Sequence, residues 1–444
     1  MADQASNFNP LALVMVLAMG YLTWSLPRRF AICPLLIMIC LMPLGQELDL
    51  FGLHFFFFRI LLLIGALRIV SKGEARQMTW TQTDKIFIWW VVVSVVFGTM
   101  AKPSMDLLRS RLGDAYNALT GYFFVRCVVV DFEDVWISVR TLALLSLPVA
   151  ALMVIENRTA HNLFSVFGGV PELTGIRDGH VRSQAAFRHP ILAGTFGATL
   201  FPVFVGFWVC EIRHRKLAVA ATMAAIVIVV TASSSGSLIA LIVALAGLAL
   251  WKWRQHMRLI RWTTVAAIFT LALAMKAPVW YLFDRLSGIF GGGGWHRSYL
   301  IDQTVNHFDE WWLFGTTYTA HWGPGGEVIA ADPNNMDITN HYVAEGVKGG
   351  VLKLGLFLLL IVKCFKGVGR RLRVEESNPR AGFLVWALGV ALFAHCVAFF
   401  SITYFDQTIL MWYWLLAVIT AVTCTRIEPT SFIDGASALK LSPG

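Results

Sequence analysis

Thirteen apolar stretches, most of them near the length of a membrane helix, follow one another along this chain of 444 residues. They lie near residues 10–26, 30–45, 52–70, 85–101, 113–130, 135–155, 190–210, 217–232, 237–251, 263–282, 350–365, 381–400 and 406–425. A spanning helix needs roughly 20 apolar residues, so the shortest stretches can be broken or re-entrant, and twelve spans is the other count. In lipid the backbone must satisfy its own hydrogen bonds, which leaves helices as the natural form for such stretches. The expected fold is therefore an all-α polytopic membrane protein, one membrane domain over residues 1–444 with about 12–13 transmembrane helices. The start of the chain is acidic and polar and lacks a basic leader, so the first apolar segment is expected to be retained.

Composition agrees. Residues are 57% hydrophobic and only 14% charged, where a soluble domain carries roughly 25% charged residues. The net charge of +9 does not mark a nucleic-acid partner, because its lysines and arginines fall in alternate loops: Arg28-Arg29, then Arg68, Lys72 and Arg76, then Arg213, Arg215 and Lys216, then Lys252 to Arg261, then Lys363 to Arg373. That alternation is the signature of cytoplasmic loops. All seven cysteines sit in or beside apolar segments, so neither a disulfide framework nor a Cys/His metal pattern can be read.

Two of the opposite, outward loops are long, residues 156–189 and 283–349, and long loops in a compact chain carry function or are disordered. Seven of the eleven histidines lie there: His161, His180, His189, His296, His307, His321 and His341. So do Arg158, Arg177, Arg182, Arg188, Arg285 and Arg297, with Lys348 as the sole lysine. Arginine without lysine points to bidentate recognition of phosphate or carboxylate. The bland alternative is arginine stems that reach up to ordinary lipid headgroups. Arg182, Arg188 and His189 precede Pro190, which suits a first helical position, and a helix N-terminus favours anions. His341 stands before another apolar helix with Asp337 and Asn340 beside it, and a neutral imidazole there can take a hydroxyl proton. Trp311-Trp312 reads as an interfacial belt or a core anchor. No Walker A, HExxH, GxSxG or dinucleotide fingerprint is present. Asp131-Phe-Glu133-Asp134 is the one acidic group on the cytoplasmic side. Glu47-Leu-Asp49 faintly resembles the acidic pair of metal-dependent lipid-linked glycosyltransferases, and two such carboxylates are more often solvated charges.

Taken in order, several pieces resemble the O-antigen ligase and polymerase superfamily of bacterial envelope proteins. They are Arg182…Phe187-Arg188-His189-Pro190, the turn Thr231-Ala-Ser-Ser-Ser-Gly236, Arg297, Trp312-Leu-Phe-Gly315, His341 and Gly346…Gly349. The likeness covers roughly residues 110–425, with an O-antigen ligase-like region at 217–425. Two features depart from the family. Its turn arginine is replaced by serine, and His341 lies closer to the following glycines, so His189 or His296 is the other candidate for its role.

The resemblance implies a GT-C-like fold with a large, partly helical periplasmic loop. It implies a bacterial inner-membrane, metal-independent, inverting glycosyltransferase that uses no cofactor. Such an enzyme moves a glycan from undecaprenyl diphosphate to an acceptor hydroxyl on a second glycan or a lipid, in membrane lipid, with a polysaccharide co-polymerase as a further partner. Arg182, Arg297 and Arg188 would hold the diphosphate. His341 would act as base or orient the acceptor, with His189, His296, Asp337 and Asn340 in support. The competing class is a transporter or flippase without chemistry, which predicts ionisable groups at mid-membrane; Arg59, Arg126 and Arg140 are the candidates. Reporter fusions are expected to place residues 160–185 and 300–340 outside the cytoplasm. A cytoplasmic signal at either would invert the topology.

Overall fold

The computed structural model describes residues 9–45, 47–50, 53–289, 294–323 and 335–424. A helix forms in each of the thirteen apolar stretches. They are α1 (Pro10–Ser25), α2 (Ile32–Leu41), α3 (Phe57–Ser71), α4 (Gln82–Met100), α5 (Met105–Val128), α6 (Phe132–Thr159), α7 (Pro190–Cys210), α8 (Arg215–Thr231), α9 (Ser235–Ala249) and α10 (Met257–Ala274). Between α10 and the next apolar helix run α11 (Leu282–Ile289), α12 (Trp295–Asn306), α13 (Phe308–Trp311) and α14 (His341–Val347). The last apolar helices are α15 (Gly350–Val374), α16 (Pro379–Ala398) and α17 (Asp406–Cys424). Two small antiparallel hairpins, β1–β2 (Glu47–Leu50 with Leu53–Phe56) and β3–β4 (Ile176–Arg177 with His180–Val181), are the only sheets among the described residues.

Among the described residues, six helices are long and apolar enough to cross a membrane: α4, α6, α7, the continuous run Ser235–Ala274 that joins α9 and α10, α16 and α17. This fits a polytopic membrane protein. The other apolar segments fall short for identifiable reasons. Helices α1, α2, α3 and α8 have 16, 10, 15 and 17 residues, and α5 and α15 carry several charges along 24 and 25 residues. Helix α10 has no buried residue although Trp262, Val265, Ile268 and Phe269 are among its exposed side chains. Such a surface suits lipid better than water.

Helix α7 is the centre of the bundle, buried along nearly its whole length and packed against α6, α8, α9 and α16. Close approach needs small residues here. A Cβ on Gly197 would stand 2.8 Å from the Ala225 carbonyl oxygen of α8, and one on Gly194 2.4 Å from Ser237 Oγ of α9. Helix α17 is buried to a similar degree and packs against α5 and α15.

Several charged groups inside the bundle have polar partners. Asp84 meets Arg126 at 2.9 Å and Arg68 meets Glu74 at 2.6 Å. Arg59 donates to Asn117 at 3.0 Å, and Arg140 meets Glu211 at 2.8 Å. Removing one partner of a buried pair leaves an uncompensated charge, so such pairs fix how helices sit. The acidic group at residues 131–134 is likewise accounted for. Asp131 and Asp134 form a capping box at the start of α6, Arg28 binds Asp134 at 2.6 Å, and Arg29 binds Glu133 at 2.6 Å.

Candidate functional site

The segment from residue 160 to Pro190 folds back onto the bundle, held by one buried carboxylate. Glu156, 1% exposed at the end of α6, accepts hydrogen bonds from Thr174 Oγ1 at 2.8 Å, the Gln184 amide at 3.0 Å and the Ala185 amide at 2.8 Å. The carbonyls of the same turn are taken from other directions: Asn162 donates to Ala185 at 2.9 Å and Gln407 of α17 to Ala186 at 2.6 Å. Ser183 ties the segment to two more helices, its amide donating to Thr231 at 3.1 Å and its hydroxyl to Met153 at 3.0 Å. Just before this turn stands the β3–β4 hairpin. Its two turn residues, Asp178 and Gly179, have φ of 52° and 77°, the left-handed pair for which Asp-Gly is favoured.

This scaffold gathers a cationic group. Arg177 and Arg182 come from the hairpin and its exit, His189 from the cap of α7, and Arg297 from α12, more than a hundred residues later. Burial lowers the proton affinity of Arg182, and neighbouring Arg177 lowers it further while Asp178 opposes. Arg297 is lowered first by burial and then by Arg177 and Arg182. His189 is pushed down to about 4 by burial, then by Arg182 and Arg177. The buried Nε of Arg182 has no hydrogen-bond partner.

Two helix N-termini add to this field. His189 Nδ1 accepts the Ile191 amide at 3.2 Å as the cap of α7, with Pro190 as first helical residue. A neutral imidazole that accepts at Nδ1 carries its proton on Nε2, so its other edge is a donor. Arg297 lies against the first turn of α9: one of its terminal nitrogens is 3.8 Å from where a Gly236 Cβ would be. Helix N-termini carry partial positive charge, so a guanidinium beside one is a placement that an anion would stabilise. The Thr231–Gly236 turn lacks an arginine of its own, and Arg297 brings a guanidinium to it.

The other residues singled out in the sequence lie elsewhere. Arg188 turns toward α17, 3.3 Å from Asp406, with its guanidinium over the Phe405 ring, so it is placed apart from the cationic group. His296 contacts the Asp337 carbonyl oxygen at 3.0 Å, and Asp337 is exposed. Asn340, 1% exposed, caps α14 by accepting from the Tyr342 and Val343 amides at 2.9 and 3.2 Å. Residues Glu47 and Asp49 form part of β1, and their side chains lie outside the described residues. Trp311 is buried and Trp312 half exposed.

His341 belongs to a second polar group. It is 3% exposed and packed among Phe357, Phe399 and Tyr404. Burial pushes it down to about 4, and the charges that bear on it are Glu345, Lys348 and Lys353. Its Nδ1 accepts the Tyr404 amide at 3.2 Å, and its buried Nε2 has no partner. The neutral ring is thus held as a donor at its free edge, which fits orienting an acceptor oxygen better than taking a proton from one. One helical turn on, Glu345 accepts from Trp90 Nε1 at 2.6 Å and meets Lys353 at 3.4 Å. Burial would raise Glu345, but Lys353, His341 and Lys348 together hold it below the ordinary carboxylate value. Sequence reasoning missed Lys353 and Trp90. The available signal was a lysine in the first turn of α15, ahead of an apolar run and eight positions after a glutamate.

Set against known protein families and curated proteins, the chain matches no family model and no curated protein.

The buried imidazoles set a pH dependence. The ordinary value is 6.5, and the folded chain holds His189 and His341 at about 4. The unfolded chain therefore binds protons that the folded chain refuses, and stability present above about pH 6.5 is lost as pH falls toward 4. The melting temperature in detergent is expected to drop over that window, each group contributing up to about 1.4 kcal/mol per pH unit. His189→Asn keeps a capping acceptor and should flatten part of the drop. A melting temperature constant from pH 7 to 4.5 would contradict these placements.

Proposed function

We propose that this chain is a membrane glycosyltransferase of the O-antigen ligase and polymerase type. It works on the periplasmic face of a bacterial inner membrane, and the two long loops lie on that face. The observation that carries the reading is that Arg177 and Arg182 bear electrostatically on both His189, the cap of α7, and Arg297, which lies against the first turn of α9. Three guanidiniums, with Asp178 bearing on Arg182 and Arg177, supply positive charge of the kind that binds a diphosphate. The donor is then a glycan on undecaprenyl diphosphate.

In this reading the acceptor hydroxyl attacks the anomeric carbon as the bond to the diphosphate oxygen breaks. The electron pair leaves with the diphosphate, and the hydroxyl proton is lost to water at the outer face. Direct attack inverts the anomeric centre. Positioned arginines stabilise the charge that grows on the leaving group, which is the largest contribution such a site makes. For His341 to orient the acceptor through its buried Nε2, the packing of Phe357, Phe399 and Tyr404 around it must open. The leaving diphosphate drives the step, so no nucleotide is consumed. The product is a longer lipid-linked chain when the acceptor is a second repeat, and a ligated glycan when it is a lipid. A polysaccharide co-polymerase is the protein partner expected for a polymerase.

Paired charges also speak for chemistry over translocation. Arg59, Arg126 and Arg140, the main mid-membrane candidates, bind Asn117, Asp84 and Glu211. A transporter would be expected to keep such groups for its cargo.

Deletion of the gene followed by analysis of lipid-linked glycans tests the reading: single repeats left on the carrier mean polymerase, long chains stranded on it mean ligase, and unchanged glycans exclude both. Arg182→Ala and Arg297→Ala should each lower transfer by roughly 10²–10³-fold while the protein still inserts and folds. Arg188→Ala, whose side chain is engaged by Asp406, should cost less. Normal product from both Arg182→Ala and Arg297→Ala would refute the diphosphate role.

A further inference from the structure

The second long loop holds a group that the transfer reading does not use. His307 Nδ1 and His321 Nε2 both point at one oxygen of Glu310, at 2.8 and 2.9 Å. The second carboxylate oxygen is held apart from them by Trp322 Nε1 at 3.1 Å. One nitrogen from each histidine and one oxygen from Glu310 lie within 4.8 Å of one another. We propose that these three side chains form a transition-metal site that takes Zn²⁺, with a fourth position open to water.

The chemistry of the donor set is the first reason. Two imidazoles and a carboxylate are a common zinc set, with ligand distances of about 2.0–2.2 Å, which places tetrahedral ligands roughly 3.3 Å apart. The atoms here stand close to that spacing, so small side-chain rotations admit the ion. Each ring now contacts Glu310, and on binding the ring proton moves to the far nitrogen, which frees the inner lone pair for the metal.

The second reason is how the ligands are held. Metal sites depend on outer contacts that orient the ligands. The His307 ring stacks on Trp322 with centroids 5.5 Å apart, and the His321 ring stacks on Tyr318 at 5.1 Å. Trp322 is fully buried, in a small core with Leu300, Trp311, Met336, Val343 and Val347. Through Trp322 the Glu310 carboxylate is fixed for one-oxygen ligation.

The third reason is position. The site joins the start of α13 to the turn at Ala320–Trp322. Trp311 of α13 packs on α14, its ring 2.7 Å from where a Gly346 Cβ would be. A metal here would therefore brace the platform under the helix that carries His341 and Glu345. Its ligands are other than the arginines of the cationic group, so the two proposals stand separately.

Full-length protein, purified in detergent and stripped of metal, is titrated with Zn²⁺ and, separately, with Co²⁺. One Zn²⁺ per chain is expected, together with a Co²⁺ d–d spectrum that Zn²⁺ abolishes. His307→Ala and His321→Ala should each lose the equivalent. Trp322→Phe should keep the stoichiometry but bind roughly 10–100-fold more weakly. His161→Ala, which alters the separate His161–Glu172 pair, should bind as the unmodified protein does. If the unmodified protein gives no zinc-displaceable Co²⁺ spectrum, or if both histidine variants retain a full equivalent, the site does not exist. The spectrum of the unmodified protein decides the matter even if a variant fails to fold.

Discussion

A single buried carboxylate determines where the charged residues of the first long loop can be. Glu156 ends a long apolar helix and accepts three hydrogen bonds from a segment 18 to 29 residues further along the chain. A carboxylate so buried is costly unless it is fully bonded, and the segment supplies those bonds from two backbone amides and a hydroxyl. The loop is thereby pressed onto the helix ends. Arg177, Arg182 and His189 owe their common location to that contact, and Arg297 joins them from a distant part of the sequence.

The resulting field is mainly positive, with Asp178, 3.6 Å from Arg177, as a carboxylate within it. Guanidiniums that lower one another's proton affinity repel, and two helix N-termini add to the repulsion. An anion arriving from outside would stabilise such an arrangement. In the proposed reading, a lipid diphosphate is that anion. The imidazoles fit the same economy of donors. His189 and His341 each accept a backbone amide at Nδ1, which leaves each with an N–H to offer.

Much of this was legible in the sequence, for physical reasons. Apolar stretches of the right length form helices because nothing else satisfies their backbone in lipid, and all thirteen did so. Pro190 marked a helix start, whereas the Asn340 cap of α14 and the hairpin turn at Asp178-Gly179 are seen only in the structure. Six helices rather than twelve or thirteen are long and apolar enough to cross a membrane on their own, because several of the rest stop a turn short or carry charges.

The geometry of the site was less legible. Arg182 and Arg188 are six residues apart yet point to different partners, since the strained turn at Ala185, with φ of 50°, separates their directions. Nothing in local pattern indicates that Asp406 lies beside Arg188. His341 was singled out as an entrance residue, and its burial among Phe357, Phe399 and Tyr404 depends on helices that follow it. The cluster of His307, Glu310 and His321 was hidden because its third member is eleven residues past the second, outside any regular spacing.

The central claim is that the arginine group binds phosphate in pairs at the lipid boundary. Native mass spectrometry of the purified protein with equal amounts of undecaprenyl diphosphate and undecaprenyl monophosphate measures this directly. The account predicts preferential retention of the diphosphate, and loss of that preference when Arg177, Arg182 and Arg297 are replaced together by alanine. Equal retention of the two lipids by the unmodified protein, or an unchanged preference in the triple variant, would contradict it.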